Sequence, residues 1–275
     1  MCKQIIIKLN IGIKKARNHV STKKEIKIMK NIFKIVSGVF ALGFAASTGN
    51  TATTYVGNGN TSFGGGVGNG NIIIDDTISG TLTITTNVTV GNNALVIYFD
   101  SKGGGFNTTA GFADAADDLR KAISGYGGAV GERSTTLLPF GADFAIGVDK
   151  GFGGLWELAN GGNNSLIYKT TALGGGFGTG GVGTGKVLTI NVSDLGLTAN
   201  SGQSFNFFAM MVSGTGYTSS EFIGASSISG NLGYGNTQTV GTGSSYTLVP
   251  EPSTGMLMGL GVAGLFIVRR FRKIA

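Results

Sequence analysis

The chain has 275 residues, a formal net charge of +7, and 50 glycines against three prolines. The positive charge lies at the two ends, because residues 49–249 contain seven basic and twelve acidic residues, a net charge near −5. The sole cysteine, Cys2, and the sole histidine, His19, lie near the N-terminus. The body therefore excludes disulfides, thiolate or imidazole metal sites and Ser-His-Asp triads, and its charge gives no support to nucleic-acid binding.

The N-terminal region contains a secretion pattern that begins at Met29. Two lysines follow this methionine, then an apolar run over 35–46, then small residues where signal peptidase cuts. This order predicts a Sec signal peptide over 29–47. Residues 1–28 carry eight Lys or Arg and one acid, Glu25, and signal peptides rarely begin so far inside a chain. We expect translation to start at Met29; a cytoplasmic extension or a long basic n-region are the alternatives.

Residues 48–70 are rich in Gly, Asn and Thr, and this composition predicts a flexible linker between the signal peptide and a folded domain over 71–249. A second glycine-rich stretch, 174–185, contains the spacing of a dinucleotide-binding loop and nearly that of a phosphate-binding loop. Both motifs require a helix after the glycines, whereas Lys186 opens a β-type pattern. No cofactor is therefore predicted.

The body contains short segments with the two-residue periodicity of half-buried strands. In 81–90 the apolar residues Leu82, Ile84 and Val88 alternate with threonines, and 186–192 repeats this pattern. The predicted strands are 72–75, 81–90, 95–100, 143–148, 155–159, 166–170, 186–192, 205–212, 222–228 and 245–249. About ten strands at this spacing predict an all-β fold, an antiparallel two-sheet β-sandwich.

One segment, 114–124, has the pattern of a helix instead. Asp114, Asp117 and Asp118 lie early in it and Arg120 and Lys121 late, as the helix dipole favours. We predict one short helix that caps an end of the sandwich, and we interpret its acids as helix-terminal charges rather than as a catalytic pair.

The middle of the body also resembles the DOMON-like and carbohydrate-binding sandwiches of exported bacterial proteins. The resemblance rests on Leu138-Pro139-Phe140-Gly141-Ala142-Asp143-Phe144-Ala145-Ile146-Gly147-Val148-Asp149, on Leu195-Gly196-Leu197 and on Tyr217-Thr218-Ser219-Ser220-Glu221. It covers about 95–228 and implies a jelly-roll or DOMON-like sandwich. Because these are strand and turn residues, it implies no particular ligand.

The C-terminal 26 residues form a second targeting pattern. Pro250-Glu251-Pro252 is followed by an apolar run to Val268 and by a basic cluster that includes Arg269 and Arg270. This tail resembles the PEP-CTERM sorting signal of Gram-negative bacteria that make exopolysaccharide. The resemblance implies export, transient anchoring in the inner membrane, cleavage by an exosortase near the tripeptide, and a place on the cell surface or in the extracellular matrix.

The physical properties of the tail also indicate a transient anchor. The 16 residues 253–268 form roughly 24 Å of helix, whereas the hydrocarbon core is about 30 Å thick. A transmembrane helix over 254–268 would be short, and snorkelling of Arg269 and Arg270 would close the gap. A buried core helix is the alternative, but such a helix is seldom followed by a cluster of cations.

The first functional hypothesis is a non-enzymatic surface or matrix protein that binds polysaccharide. Sugar binding by a sandwich uses exposed aromatic rings, and the available rings are Trp156, Tyr126, Tyr168 and Tyr217. A lone Trp in a strand is more often a core residue, and we expect this for Trp156.

The alternative hypothesis is a glycoside hydrolase or lyase, which would need two carboxylates facing one cleft. The carboxylates that could supply them are Glu132, Glu157, Glu221, Asp100, Asp143 and Asp149. No spacing pairs any two of them. Structural calcium at Asp75, Asp76 and Asp100 is a third hypothesis, but the spacing of calcium-binding loops is absent and turn capping explains these acids better.

Overall fold

A computed structural model of the protein describes residues 52–178 and 183–250. The predicted extension 1–28, signal peptide 29–47 and transmembrane segment 254–268 lie outside the described residues. Within the described part, no helix has the length and apolar character needed to span a membrane.

The described residues form a mostly β structure with fifteen strands and one α-helix. The strands are β1 Thr53–Val56, β2 Asn71–Asp75, β3 Thr81–Val88, β4 Asn93–Asp100, β5 Phe106–Thr108, β6 Thr135–Ala142, β7 Phe144–Val148, β8 Gly153–Glu157, β9 Ile167–Leu173, β10 Gly183–Asn191, β11 Ser204–Ser213, β12 Thr218–Ile223, β13 Ile228–Gly230, β14 Thr237–Val240 and β15 Ser244–Thr247. The helix α1 spans Asp118–Ser124, and two 3-10 turns span Thr109–Gly111 and Val192–Leu195.

These strands form three sheets in the described part of the chain. The first sheet has the order β1-β2-β3-β10 and the third sheet has the order β13-β14-β6-β5. The central sheet has the order β12-β11-β4-β7-β8-β9, and β15 pairs with the N-terminal half of β11. All pairings are antiparallel except β14 with β6.

The central sheet is buried on both faces, because it separates two hydrophobic cores. On β4, Leu95 and Ile97 face the first core, which the first sheet closes. Val96 and Tyr98 face the second core, which the third sheet and α1 close. A strand buried on both sides has a continuous apolar run rather than alternation, which explains the sequence of β4.

Several sequence predictions are confirmed. Each of the ten predicted strands overlaps a strand of the structure. In β3, Leu82, Ile84 and Val88 are buried, and the intervening residues on the opposite face are half-buried. The all-β class with one short helix is therefore correct.

The prediction of two sheets is wrong, because a third sheet covers the second face of the central sheet. The strands of this third sheet, β5, β6, β13 and β14, were not predicted from the sequence. These strands are short or lack alternation, and β6 contains Pro139. A proline within a run disfavours a strand prediction.

The predicted helix 114–124 begins four residues later than expected. Asp114 is fully buried in a loop, where its carboxylate accepts hydrogen bonds from the backbone N–H groups of Ala116, Asn164 and Leu166. Asp117 is the N-cap and accepts from the Arg120 N–H at 2.9 Å. The helix packs its buried residues in the second core, over a face of the central sheet rather than at an end of a sandwich.

The glycine-rich stretch predicted as a linker is largely part of the folded body. Its residues Thr53–Val56 form β1, which pairs with β2, and 57–70 form a turn around Glu221. The Glu221 side chain is fully buried, and its two oxygens accept hydrogen bonds from the backbone N–H groups of Phe63, Gly65, Val67 and Gly68, at 2.6 to 3.3 Å. A ring of backbone donors stabilises a buried carboxylate without a cation.

Replacement of Glu221 by glutamine should destabilise the body. The amide side chain would keep one acceptor oxygen and turn an NH₂ group toward backbone donors, so buried N–H groups would lose their partners. We expect a loss of about 2–4 kcal/mol and a fall in Tm of roughly 5–15 °C, measured by circular dichroism. Glu132→Gln, the same charge change at a partly exposed residue, is the control. Equal Tm values for the two variants would contradict the role of Glu221.

Candidate functional site

A cleft of about 640 Å³ opens beside the second core, where α1 meets the β8 and β9 edge of the central sheet. This volume lies within the range of small-molecule and glycan sites. The start of α1, the β7–β8 turn and the two strands supply its walls. The lining residues are Asp117, Asp118, Leu119, Arg120, Asp149, Phe152, Trp156 and Tyr168.

Three aromatic rings form one wall of the cleft. Trp156 and Tyr168 are register partners in β8 and β9, and their ring centroids lie 5.8 Å apart, edge to face. Phe152 lies 6.3 Å from each of them. Tyr168 is 45% exposed whereas Trp156 is 2% exposed. Tyr168 therefore presents a ring to solvent, and Trp156 supports it from below.

Two glycines determine where the indole of Trp156 lies. Gly147 and Gly154 are register partners in β7 and β8. A Cβ atom on Gly154 would lie 2.8 Å from Trp156 Cη2 and 2.9 Å from Phe152 Cε1, and one on Gly147 would lie 3.4 Å from Trp156 Cζ3. The ring lies across this bare stretch of backbone, because no side chain occupies it.

The rim of the cleft carries more negative than positive charge. The Arg120 guanidinium lies 5.7 Å from the Trp156 ring centre and pairs with Asp117 and with buried Asp114, whose Oδ2 is 3.3 Å from Arg120 Nε. Asp149 accepts hydrogen bonds from the backbone N–H groups of Gly151 and Phe152, at 2.7 and 2.8 Å, and so fixes the turn that carries Phe152. Arg120 is thus neutralised, while the carboxylates of the rim keep acceptor capacity.

The indole N–H of Trp156 is buried and has no acceptor among the described residues. Buried donors without a partner are uncommon, and a bound water is one way to satisfy them. This donor lies on a residue that lines the cleft.

The other two rings named from the sequence lie elsewhere. The Tyr126 ring faces the Arg133 guanidinium at 4.9 Å, and Tyr217 packs against Phe63 at 6.2 Å and Tyr234 at 5.3 Å. Neither tyrosine lines the cleft. Of the four candidate rings, the structure brings together Trp156 and Tyr168.

Most candidate catalytic carboxylates have structural partners. Asp143 accepts from the N–H groups of Ser101 and Lys102, and Asp100 accepts from the Asn206 amide. The hydrogen bond from Lys102, with a smaller contribution from Lys169, lowers the pKa of Glu157. A carboxylate with a low pKa suits an ion pair better than general-acid catalysis.

The carboxylates considered for calcium also cap turns or strand ends. Asp75 accepts from the N–H of Thr77, and Asp76 binds groups of β15 and of the residues that follow it. Among the residues that the structure describes, no group of three or more His, Cys, Asp or Glu is placed to hold a metal ion.

The described chain ends at Pro250, which is exposed and lies two residues after the buried Leu248. Glu251, Pro252, Arg269 and Arg270, the other residues predicted for sorting, lie outside the described residues. Comparison with protein families gives one result for this region. Residues 248–273 match the PEP-CTERM protein-sorting motif. The motif supports export of the protein. It also supports processing by an exosortase during membrane-associated sorting toward the cell surface.

No curated protein and no solved structure matches the chain. The sorting motif covers the tail alone, so it assigns no fold or ligand to the body. The resemblance of the body to DOMON-like sandwiches stays a prediction.

The sequence analysis did not predict the cleft itself. Phe152, Asp117 and Arg120 were not recognised as site residues, because the turn at Phe152 and the start of α1 are distant in sequence. The pair Gly153-Gly154 before Trp156 is the one local signal, since adjacent glycines within a strand indicate close approach by another group.

Gly154→Ala should displace the Trp156 ring, because the new methyl group would overlap the indole. Trp156 is the only tryptophan in the chain, so its fluorescence reports on the cleft alone. We expect a red-shifted emission and a Tm lower by several degrees, from a loss of about 1–3 kcal/mol. Gly103→Ala, where a Cβ meets nothing within 4 Å, is the control and should leave both unchanged. An unshifted spectrum for Gly154→Ala would refute this geometry.

Proposed function

We propose that the protein is a non-enzymatic component of the cell surface or extracellular matrix, and that its cleft binds a polysaccharide. The observation that carries this proposal is the half-exposed Tyr168 ring beside Trp156, with carboxylates along the same cleft. Aromatic rings offer a flat apolar face to a sugar ring, and nearby carboxylates accept hydrogen bonds from hydroxyl groups. The site is built on the central sheet and α1, on the side of the second core.

The charge around the cleft favours a neutral polysaccharide. Asp117, Asp118 and Asp149 line it, and the single lining cation, Arg120, is already paired. The body as a whole has a net charge near −5. A polysaccharide rich in uronic acids would meet like charges, whereas a neutral one would meet acceptors for its hydroxyl groups.

The sorting motif supports a location at the cell surface, where such binding would take place. Export followed by exosortase processing would deliver the body to a surface covered with exopolysaccharide. Signal peptidase and the exosortase are the processing partners in this proposal, and the inner membrane holds the tail only transiently.

Tyr168→Ala should weaken glycan binding, because it removes the exposed ring of the cleft. Processed protein from its host is run through gels that contain dextran, galactomannan or alginate, and Trp156 fluorescence is followed during titration. We expect retardation by a neutral polysaccharide but not by alginate, and a Kd about ten-fold higher for Tyr168→Ala.

Ile167→Ala is the matched control, since Ile167 is the adjacent residue of β9 and is 53% exposed. It should bind as the unaltered protein does. Equal retardation of all three proteins, or preference for alginate, would contradict binding by this cleft.

Replacement of Pro250, Glu251 and Pro252 by alanine should block processing. The chain is then expected to stay in the membrane fraction with its tail, as shown by fractionation and intact mass. Ser253→Ala serves as the control and should be processed normally. Release of the triple variant with the same C-terminus would show that the tripeptide does not direct sorting.

A further inference from the structure

One buried carboxylate, that of Asp76, binds the C-terminal end of the body through hydrogen bonds. Asp76, in the turn after β2, is 4% exposed. Its Oδ1 accepts the hydroxyl hydrogen of Tyr246, in β15, at 2.8 Å. Its Oδ2 accepts the backbone N–H of Val249 at 2.8 Å. Asp76 thus joins the first sheet to the last strand and to the residue directly before the Pro-Glu-Pro tripeptide.

The residues between these two contacts are also fixed. The side chain of Leu248 is fully buried in the first core, and its N–H donates to the carbonyl of Gln203 at 2.9 Å. Burial, followed by the bond to Asp76, raises the pKa of Tyr246, so its hydroxyl stays a donor at neutral pH. Hydrogen bonds to a carboxylate are stronger than those between neutral groups.

Order in the body therefore extends into the sorting motif. The match to the motif begins at residue 248, where the chain is still buried. Pro250 has no N–H to donate and is exposed. The chain thus changes from buried at Leu248 to exposed at Pro250, the last described residue.

Proteases act on chain that can leave its sheet and extend into an active site, and cleavage within ordered structure requires local unfolding. Cleavage before Val249 would require the departure of Leu248 from the core and the loss of both bonds to Asp76. Cleavage after Pro250 would remove none of these contacts. The folded body therefore protects the peptide bonds before Val249.

We propose that Asp76 is a clamp that sets the upstream limit of tail processing, so that the mature protein retains all of β15 and ends at Val249 or later. The proposal rests on the exosortase processing proposed above. Asp76 acts here as a positioning residue, because it holds Tyr246 and Val249 in place on the body side of the cleavage region.

Digestion in vitro tests the clamp independently of the exosortase. The full chain, extracted in mild detergent, is treated with carboxypeptidase Y or with dilute proteinase K, and the products are measured by intact mass. Proteolytic shortening of the unaltered protein should stop with its C-terminus between Val249 and Pro252. In Asp76→Ala, trimming should continue into β15, with the Val249 end lost about ten-fold faster.

Asp75→Ala is the matched control, because the Asp75 carboxylate accepts only a local bond from Thr77 among the contacts described. Its products should match those of the unaltered protein. Tyr246→Phe removes one donor to Asp76 and keeps the ring that packs against Phe205, and it should show intermediate trimming even if Asp76→Ala fails to fold. Trimming of the unaltered protein past Leu248, or identical end points for Tyr246→Phe and the unaltered protein, would overturn the clamp.

The mature protein from the host provides the second test. A C-terminus at or after Val249 supports the proposal, and one within β15 overturns it. A mature protein that keeps the whole tail overturns the proposed sorting instead, and the digestion result then decides the clamp alone.

Discussion

Buried carboxylates hold the glycine-rich loops of this protein onto its sheets. Four acids of the described residues are buried: Asp76, Asp114, Asp143 and Glu221. Each accepts hydrogen bonds from backbone N–H groups of a segment distant in sequence. The body has no cysteine, so disulfides cannot restrain these loops. Hydrogen bonds from backbone N–H groups to buried carboxylates restrain these segments instead, at the cost of desolvating a charge.

This constraint changes the interpretation of the acidic residues. Glu221 and Asp143 were candidate catalytic acids, yet both accept hydrogen bonds from backbone N–H groups. The four backbone N–H groups around Glu221 leave its two oxygens little capacity for proton transfer to a substrate. A separate group of acids, Asp117, Asp118 and Asp149, lines the cleft beside the aromatic rings. The arrangement suits recognition of hydroxyl groups better than acid–base chemistry.

The sequence allowed prediction of strands that bury one face, because alternation is visible without any knowledge of partners. The segment 186–192 was predicted as a strand, and β10 spans Gly183–Asn191. The strand β6 could not be predicted from the sequence, because its partner β14 lies about a hundred residues away and pairs with it in parallel. The cleft could not be predicted from the sequence for a related reason. Its central contact depends on the register that sets Trp156 opposite Tyr168, and register follows from tertiary packing.

The topology separates the processed end of the body from the cleft. Thr53 of β1 is paired with Ile74, and Val249 is bound to Asp76, two residues further along the chain from Ile74. The first strand and the last described residues of the body thus lie at the same end of β2. The cleft lies at β8 and β9, whereas β15 pairs with β11, four strands away from β9 in the central sheet. At about 4.8 Å per strand, this separation is roughly 19 Å. The cleft is therefore built on strands that do not pair with β15, so the proposed processing of the tail leaves the strands of the cleft in place.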